Sequence, residues 1–175
     1  MSGIVEQNCG DISIGVYKCD SKSELLFRLK EFKKTITLCD EEAYACNFVL
    51  IKGRFPGQQE NVGCGLLYGS SICPQIVLYP RKYLRWILLD CMLFLVDMHE
   101  TTVILQQRLS SVFYDVICLN DGVIAVVQEL GIEAFDLKGQ RIWQIVGPDI
   151  LVECRCEDER IICRFENGQV ISHDL

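Results

Sequence analysis

The sequence predicts a mainly β fold of the α+β kind, an antiparallel meander with one N-terminal helix. Three observations predict it. From Met92 onward, short apolar and β-branched runs recur with polar or glycine-containing turns between them, the pattern of strands joined by tight connections. Those turns include Asn167-Gly168, and Asn-Gly is a strong hairpin signal because a type I′ turn requires positive φ twice. Only one stretch, near residues 22–34, places its apolar residues at helical spacing. The 175 residues are 50 % hydrophobic and 23 % charged, which excludes a disordered chain. A chain of this length buries about 70 % of its unfolded surface, enough for a core without metal or disulfide staples. The length suits a single domain over 1–175, with a helix and strands in 1–90 and the meander in 91–175.

Residues 11–18 alternate as a strand does. Ser21 to Glu24 then has the form of a capping box, with Ser21 as N-cap and Glu24 at N3. Leu25, Leu26, Leu29 and Phe32 follow on one face, and Arg28, Lys30, Lys33 and Lys34 on the other. The spacing predicts a helix over about 22–34 whose last-turn lysines suit its dipole. Residues 36–52 admit two readings: Asp40-Glu41-Glu42 can open a short helix, while Tyr44–Ile51 reads as a strand. Gly53 to Gly65, with Pro56-Gly57 inside it, reads as a loop. Leu66–Tyr68, Gln75–Tyr79 and Tyr83–Leu89 read as strands, though the last is apolar enough to be a buried helix after Pro80. The meander runs are Met92–Val96, Thr102–Gln106, Val112–Leu119, Val123–Gln128, Ile132–Leu137, Arg141–Val146, Ile150–Cys156, Arg160–Glu166 and Gln169–His173.

One hairpin can be drawn to the residue. With Asp158-Glu159 as a two-residue turn, Glu157 faces Arg160 and Glu153 faces Arg164. Val152, Cys154 and Cys156 then share the other face with Phe165, Cys163 and Ile161, so charges pair outside and apolar groups meet inside. In this register Cys154-x-Cys156 is two inward side chains of one strand and not half of a metal site.

The net charge is −7, and its distribution is uneven. Residues 1–90 hold eleven Lys/Arg against ten Asp/Glu, while 91–175 hold six against fourteen. The acidic half repels phosphate backbones and anionic membranes and favours a basic protein partner. Eleven cysteines are scattered without a Cys-x-x-Cys pair, so no zinc ribbon or thioredoxin-like motif is present. The N-terminus has neither a basic n-region nor an apolar h-region, and no apolar run reaches membrane-spanning length. The expectation is a cytoplasmic protein with reduced thiols.

Motifs for chemistry are absent. His99, in the expected turn 97–100, and His173, at a strand end, lack partners at a catalytic spacing. Gly63-Cys64-Gly65 is not followed by the Gly-Lys-Ser/Thr of a phosphate loop. Tyr79 to Trp86 is one basic–aromatic cluster, read as a strand or helix edge with snorkelling Arg and Lys stems in preference to a nucleic-acid grip. No catalytic residue, metal ligand or cofactor site is assigned.

The stretch Gly131-Ile-Glu-Ala-Phe-Asp-Leu-Lys-Gly-Gln-Arg-Ile-Trp143 resembles the repeat of quinoprotein-type β-propellers. Asn120 to Gln128 supplies the strand before it, and Asp158 to Leu175 a second, incomplete copy. The resemblance covers about 112–175. It implies a blade-like meander, with Trp143 in a blade core, that does not close a full propeller, because residues 1–90 contain no matching copies. It brings no quinone cofactor or metal with it.

Size, acidity and the lack of an export signal together resemble the profile of small bacterial toxin-immunity proteins. That profile implies a non-enzymatic module that occludes a basic nuclease toxin. The candidate partner-binding residues are the acids Glu129, Glu133, Asp149, Glu153, Glu157, Asp158 and Glu159. Two alternatives stand beside it: a ligand-binding or enzymatic domain with a pocket between the N-terminal part and the meander, and a regulatory β-propeller fragment. Oligomeric state is not readable from the sequence.

Overall fold

A computed structural model describes residues 3–9, 12–39, 45–54, 61–69, 73–79, 84–89, 91–119 and 122–175. The chain forms two compact units, Met1–Gln106 and Gln107–Leu175. The boundary falls later than the charge shift at 90/91. A break there would cut the antiparallel ladder that pairs residues 84–89 with 92–97.

The first unit opens with β1 (Gly3–Cys9), β2 (Ile12–Cys19), helix α1 (Lys22–Leu29), β3 (Lys34–Cys39), β4 (Asn47–Arg54) and β5 (Val62–Tyr68). These strands form one sheet in the order β1-β2-β4-β5-β3. β3 lies parallel to β5 while the other pairs are antiparallel, so α1 serves as the crossover between β2 and β3. The segment expected to be a loop from Gly53 to Gly65 is strand at both ends, through Arg54 and from Val62. Its glycines mark close approach and not a turn. A Cβ on Gly65 would lie 2.9 Å from Leu29 and 3.3 Å from Leu25, and one on Gly63 2.7 Å from Phe32. The helix thus sits on β5 with Leu25 and Leu29 buried against Leu50 and Leu67.

The helix ends at Leu29, short of the expected 34. Beyond it the backbone bonds tighten to i−3, from Lys30 to Phe27, Glu31 to Arg28 and Phe32 to Leu29, and Thr35-Ile36-Thr37 carry the chain into β3. Arg28, and not Lys33 or Lys34, is therefore the last-turn cation. The cap forms as expected. Ser21 Oγ accepts from the Glu24 N–H at 3.1 Å. Glu24 Oε2 accepts from the Asp20 N–H at 2.7 Å, and its Oε1 from Arg28 at 2.7 and 2.8 Å.

The Asp20 N–H, then Arg28, hold the Glu24 carboxyl below the usual carboxylate range. A depressed folded-state pKa gives stability that is present above the unfolded value and is lost as pH falls through the folded value. Glu24→Gln is expected to remove that increment, so the wild-type advantage over the variant should vanish at acid pH. Parallel urea titrations at neutral and acid pH check this, and an advantage independent of pH would refute it.

The unit closes with β6 (Gln75–Tyr79), β7 (Leu84–Leu89), β8 (Met92–Asp97) and β9 (Thr102–Arg108), which reaches just past the boundary; their sheet has the order β6-β7-β8-β9. Residues 84–89 are strand and not helix. β7 is buried on both faces, which explains its lack of alternation. Ile87, Leu89, Phe94 and Val96 pack with Ile14, Val49, Ile51 and Leu66 in one core. Arg85 is not a snorkelling edge residue. It is 1 % exposed, and its Nη1 donates to the Leu84 carbonyl at 2.6 Å. Residues 80–83 of that basic–aromatic cluster lie outside the described residues, as do 40–44.

The second unit holds β10 (Phe113–Cys118), β11 (Ile124–Gln128), β12 (Gly131–Phe135) and β13 (Arg141–Val146) as one antiparallel sheet in chain order. β14 (Leu151–Glu157), β15 (Arg160–Phe165) and β16 (Val170–Asp174) form a second. Both are blade-like meanders, and none of the four sheets closes on itself. Ala125, Val127, Ile132, Ala134 and Ile145 pack against Leu151, Ile161, Cys163 and Phe165. Trp143 is half-buried beside this core, its ring 4.4 Å from that of His173.

The hairpin register agrees with the sequence at Glu157↔Arg160 and Glu153↔Arg164, and departs from it at Val152. A bulge between Leu151 and Glu153 sets Leu151, not Val152, opposite Phe165. Leu151 is consequently buried and Val152 is 52 % exposed. Cys156 is exposed as well, so the inner face is apolar only from Leu151 to Cys154.

Candidate functional site

β10 and β14 are the first strands of the two sheets in the second unit, each paired with one neighbouring strand in its sheet. Their side chains line a groove of about 440 Å³. Tyr114 and Asp115 come from β10, and Glu153, Cys154, Arg155 and Cys156 from β14. The Asp115 carboxylate accepts from the Val116 N–H at 2.8 Å. Glu153 is paired with Arg164 at 2.9 Å, and Arg155 stands 3.6 Å from Glu157.

Cys154 is half-buried in this groove, directly across the ladder from the fully buried Cys163. The neighbouring Cys163 thiol holds the Cys154 thiol below its ordinary value. The proximity of Cys154, with burial, pushes the Cys163 thiol up. Burial alone shifts Cys64 up to about 12, and it leads the upward shifts of Cys19 and Cys118. The Cys154–Cys163 apposition was legible in the hairpin register, but no motif marked it as chemistry. Among the described residues, no group of three or more His, Cys, Asp or Glu is placed to hold a metal ion. The described residues also contain no helix long and apolar enough to cross a membrane.

The predicted acids do not form one patch. Glu133 is a correction: it is 6 % exposed and belongs to the interior. Its Oε1 accepts from Gln128 at 3.0 Å and Ser110 at 3.3 Å, and its Oε2 from Arg141 at 3.1 Å. Paired and hydrogen-bonded, it can be buried without the full cost of desolvation. Glu153 is engaged by Arg164. Glu129 and Asp149 are half-buried near the start of β14, where the Leu151 N–H donates to the Glu129 carbonyl at 2.7 Å and Asp149 accepts from the Ile150 N–H at 2.8 Å. Glu157, Asp158 and Glu159 are exposed at its other end, about 20 Å away at 3.3 Å per residue. Arg160 faces Glu157 in the ladder as expected, and its guanidinium makes an ion pair with Asp174 of β16.

The tip has an unusual backbone. Asp158 and Glu159 have φ of 46° and 61°. This is the two-positive-φ turn that usually takes Asn-Gly, because a Cβ is unfavourable there.

No family model matches the chain, and no curated protein matches it either. Several solved structures do. A computationally designed protein, Ika4, is 11 % identical over 79 % of this chain and 89 % of its own, with a TM-score of 0.45. BBS1N, crystallised in complex with ARL6DN, is 14 % identical over 77 % of this chain, with a TM-score of 0.41. This chain spans about half of that one, 48 %. BamB from Moraxella catarrhalis is 13 % identical over 80 % of this chain and 59 % of its own, with a TM-score of 0.23. The blade-like description rests on the strand order given above and not on these likenesses.

Proposed function

We propose that the chain is a non-enzymatic binding module whose second unit presents an acidic tip to a cationic protein partner. Its most concrete form is an intracellular immunity protein that covers the basic surface of a nuclease toxin. The second unit has six Lys/Arg against twelve Asp/Glu. One observation carries the reading: the exposed Glu157-Asp158-Glu159 tip keeps two carboxylates at positive φ, where glycine or asparagine would be more stable. Strained backbone of this kind gathers at functional positions, and opposed charge speeds association more than it deepens affinity.

The reading has a two-part test. Asp158→Asn with Glu159→Gly relieves the strain and removes two charges. The double variant is expected to be more stable by about 1–2 kcal/mol. It should also lose capture of the partner from host extract, while the wild type retains a basic protein that salt releases. Equal capture by the variant, or retention insensitive to salt, overturns the reading.

The groove supports a second reading as a small-ligand site, since its volume falls within the usual span of about 300–1,000 Å³. Ligand-induced thermal shifts abolished by a bulky substitution at Cys156 would favour it.

A further inference from the structure

We propose that Cys154 and Cys163 form a dithiol site, opened to solvent by the groove between β10 and β14, that is oxidised by a small disulfide. The two residues stand directly opposite in the β14–β15 ladder. Opposed residues of an antiparallel pair have Cα atoms about 4.5–5.5 Å apart, inside the about 4.4–6.8 Å that a disulfide spans. No strand has to slide for the bond to close. The two side chains share one face of the ladder, since Cys154 packs against the core to which Cys163 belongs.

Access decides the order of events. Cys154 lines the groove and is half-buried, whereas Cys163 is 0 % exposed behind it. An external disulfide therefore meets Cys154 first. The Cys154 thiolate, its proton released to water, attacks one sulfur of R–S–S–R. A Cys154–S–R bond forms, the S–S bond breaks, and the first thiolate leaves. The influence of the neighbouring Cys154 thiol and thiolate, which had held the proton on Cys163, vanishes in this mixed disulfide. Cys163 then gives its proton to the departed thiolate, attacks Cys154 Sγ and displaces the second RS⁻, which takes a proton from water. Two protein thiols lose two electrons, and R–S–S–R becomes two R–SH.

Cys156 is an internal control. It lines the same groove on the same strand and is more exposed, but it stands opposite Ile161 and not a thiol. Trypsin separates the three thiols, since cleavage after Arg141, Arg155, Arg160 and Arg164 places Cys154 in 142–155, Cys156 in 156–160 and Cys163 in 161–164. Reduced protein is incubated with oxidised glutathione and mapped by mass spectrometry. A bridged peptide joining 142–155 to 161–164, lighter by two hydrogens and undone by dithiothreitol, is expected to accumulate ahead of any adduct on 156–160. Cys163→Ala should stop the reaction at the mixed disulfide and leave glutathione on 142–155. Cys154→Ala should leave 161–164 unmodified. The proposal is overturned if the wild type yields no bridged peptide, or if 156–160 takes up glutathione as fast as 142–155.

Discussion

Gly131→Ala is expected to destabilise the second unit by about 3 kcal/mol or more. Two independent effects add at this position. Gly131 has φ of 153°, within the range that side-chain-bearing residues avoid. A Cβ built there lies 2.1 Å from the Ile145 carbonyl oxygen and 3.3 Å from Val146 Cα. Those atoms are backbone, fixed by the ladder in which Gly131 faces Val146 and Ile132 faces Ile145. No rotamer change relieves the clash, so β12 and β13 must separate where Ile132 and Ile145 join the core. Gly168→Ala is the control: its φ is 84°, but a Cβ there meets nothing within 4 Å. It should cost only the left-handed penalty of about 1–2 kcal/mol. Each unit holds one tryptophan, Trp86 or Trp143. In Trp86→Phe backgrounds, Trp143 fluorescence through a urea titration reads the second unit alone. Equal midpoints for the two variants would refute the expectation.

Gly131 also shows how far the sequence could be read. The resemblance placed Gly131 at the start of the repeat without showing what its backbone requires, while the strands of 112–175 follow the apolar runs to within a residue or two. Periodicity worked at β15 and β16, where exposed and covered residues alternate, whereas β11 and β12 are buried throughout and were legible from the turns that bound them. It was ambiguous at 84–89, where both faces are dry, and the glycines misled it at 62–65, where Gly63 and Gly65 imitate a loop because the helix needs their missing side chains. The helix end was overrun because Lys33 and Lys34 fit a helix C-terminus as readily as a strand start. Among site residues, alternation sent Glu133 outward. It lacked the information that Arg141, Gln128 and Ser110 converge on its carboxylate. The hairpin pairing was legible because its turn has two residues, and the Val152 bulge was not, because one inserted residue leaves the apolar pattern almost unchanged. Charge arithmetic located the acidic half but not its geometry, since which acids meet depends on strand ends brought together by the fold.

The second large effect concerns how the two sheets of the second unit are joined. Gly147 follows β13, and a Cβ there would lie 1.8 Å from Cε1 of Phe165 and 2.4 Å from Cζ and Cδ1. Phe165 is 1 % exposed at the end of β15 and belongs to the shared core. The ring thus occupies the space that the missing side chain leaves, which makes the glycine a packing partner and not a turn residue. Phe165→Ala is expected to cost about 3–5 kcal/mol through the cavity it opens. Gly147→Ala should cost about 1–3 kcal/mol by displacing the ring. The informative variant combines Gly147→Ala with Phe165→Leu. Leucine lacks the far ring atoms, Cε1 among them, so the added methyl gains room that phenylalanine denied it. The double variant should therefore be more stable than the sum of its single variants by about 0.5–3 kcal/mol, the range of residues in contact. Additive costs would show that the backbone around 147 shifts to accept the methyl, and that the sheets are joined by the remaining apolar contacts and not by this seat.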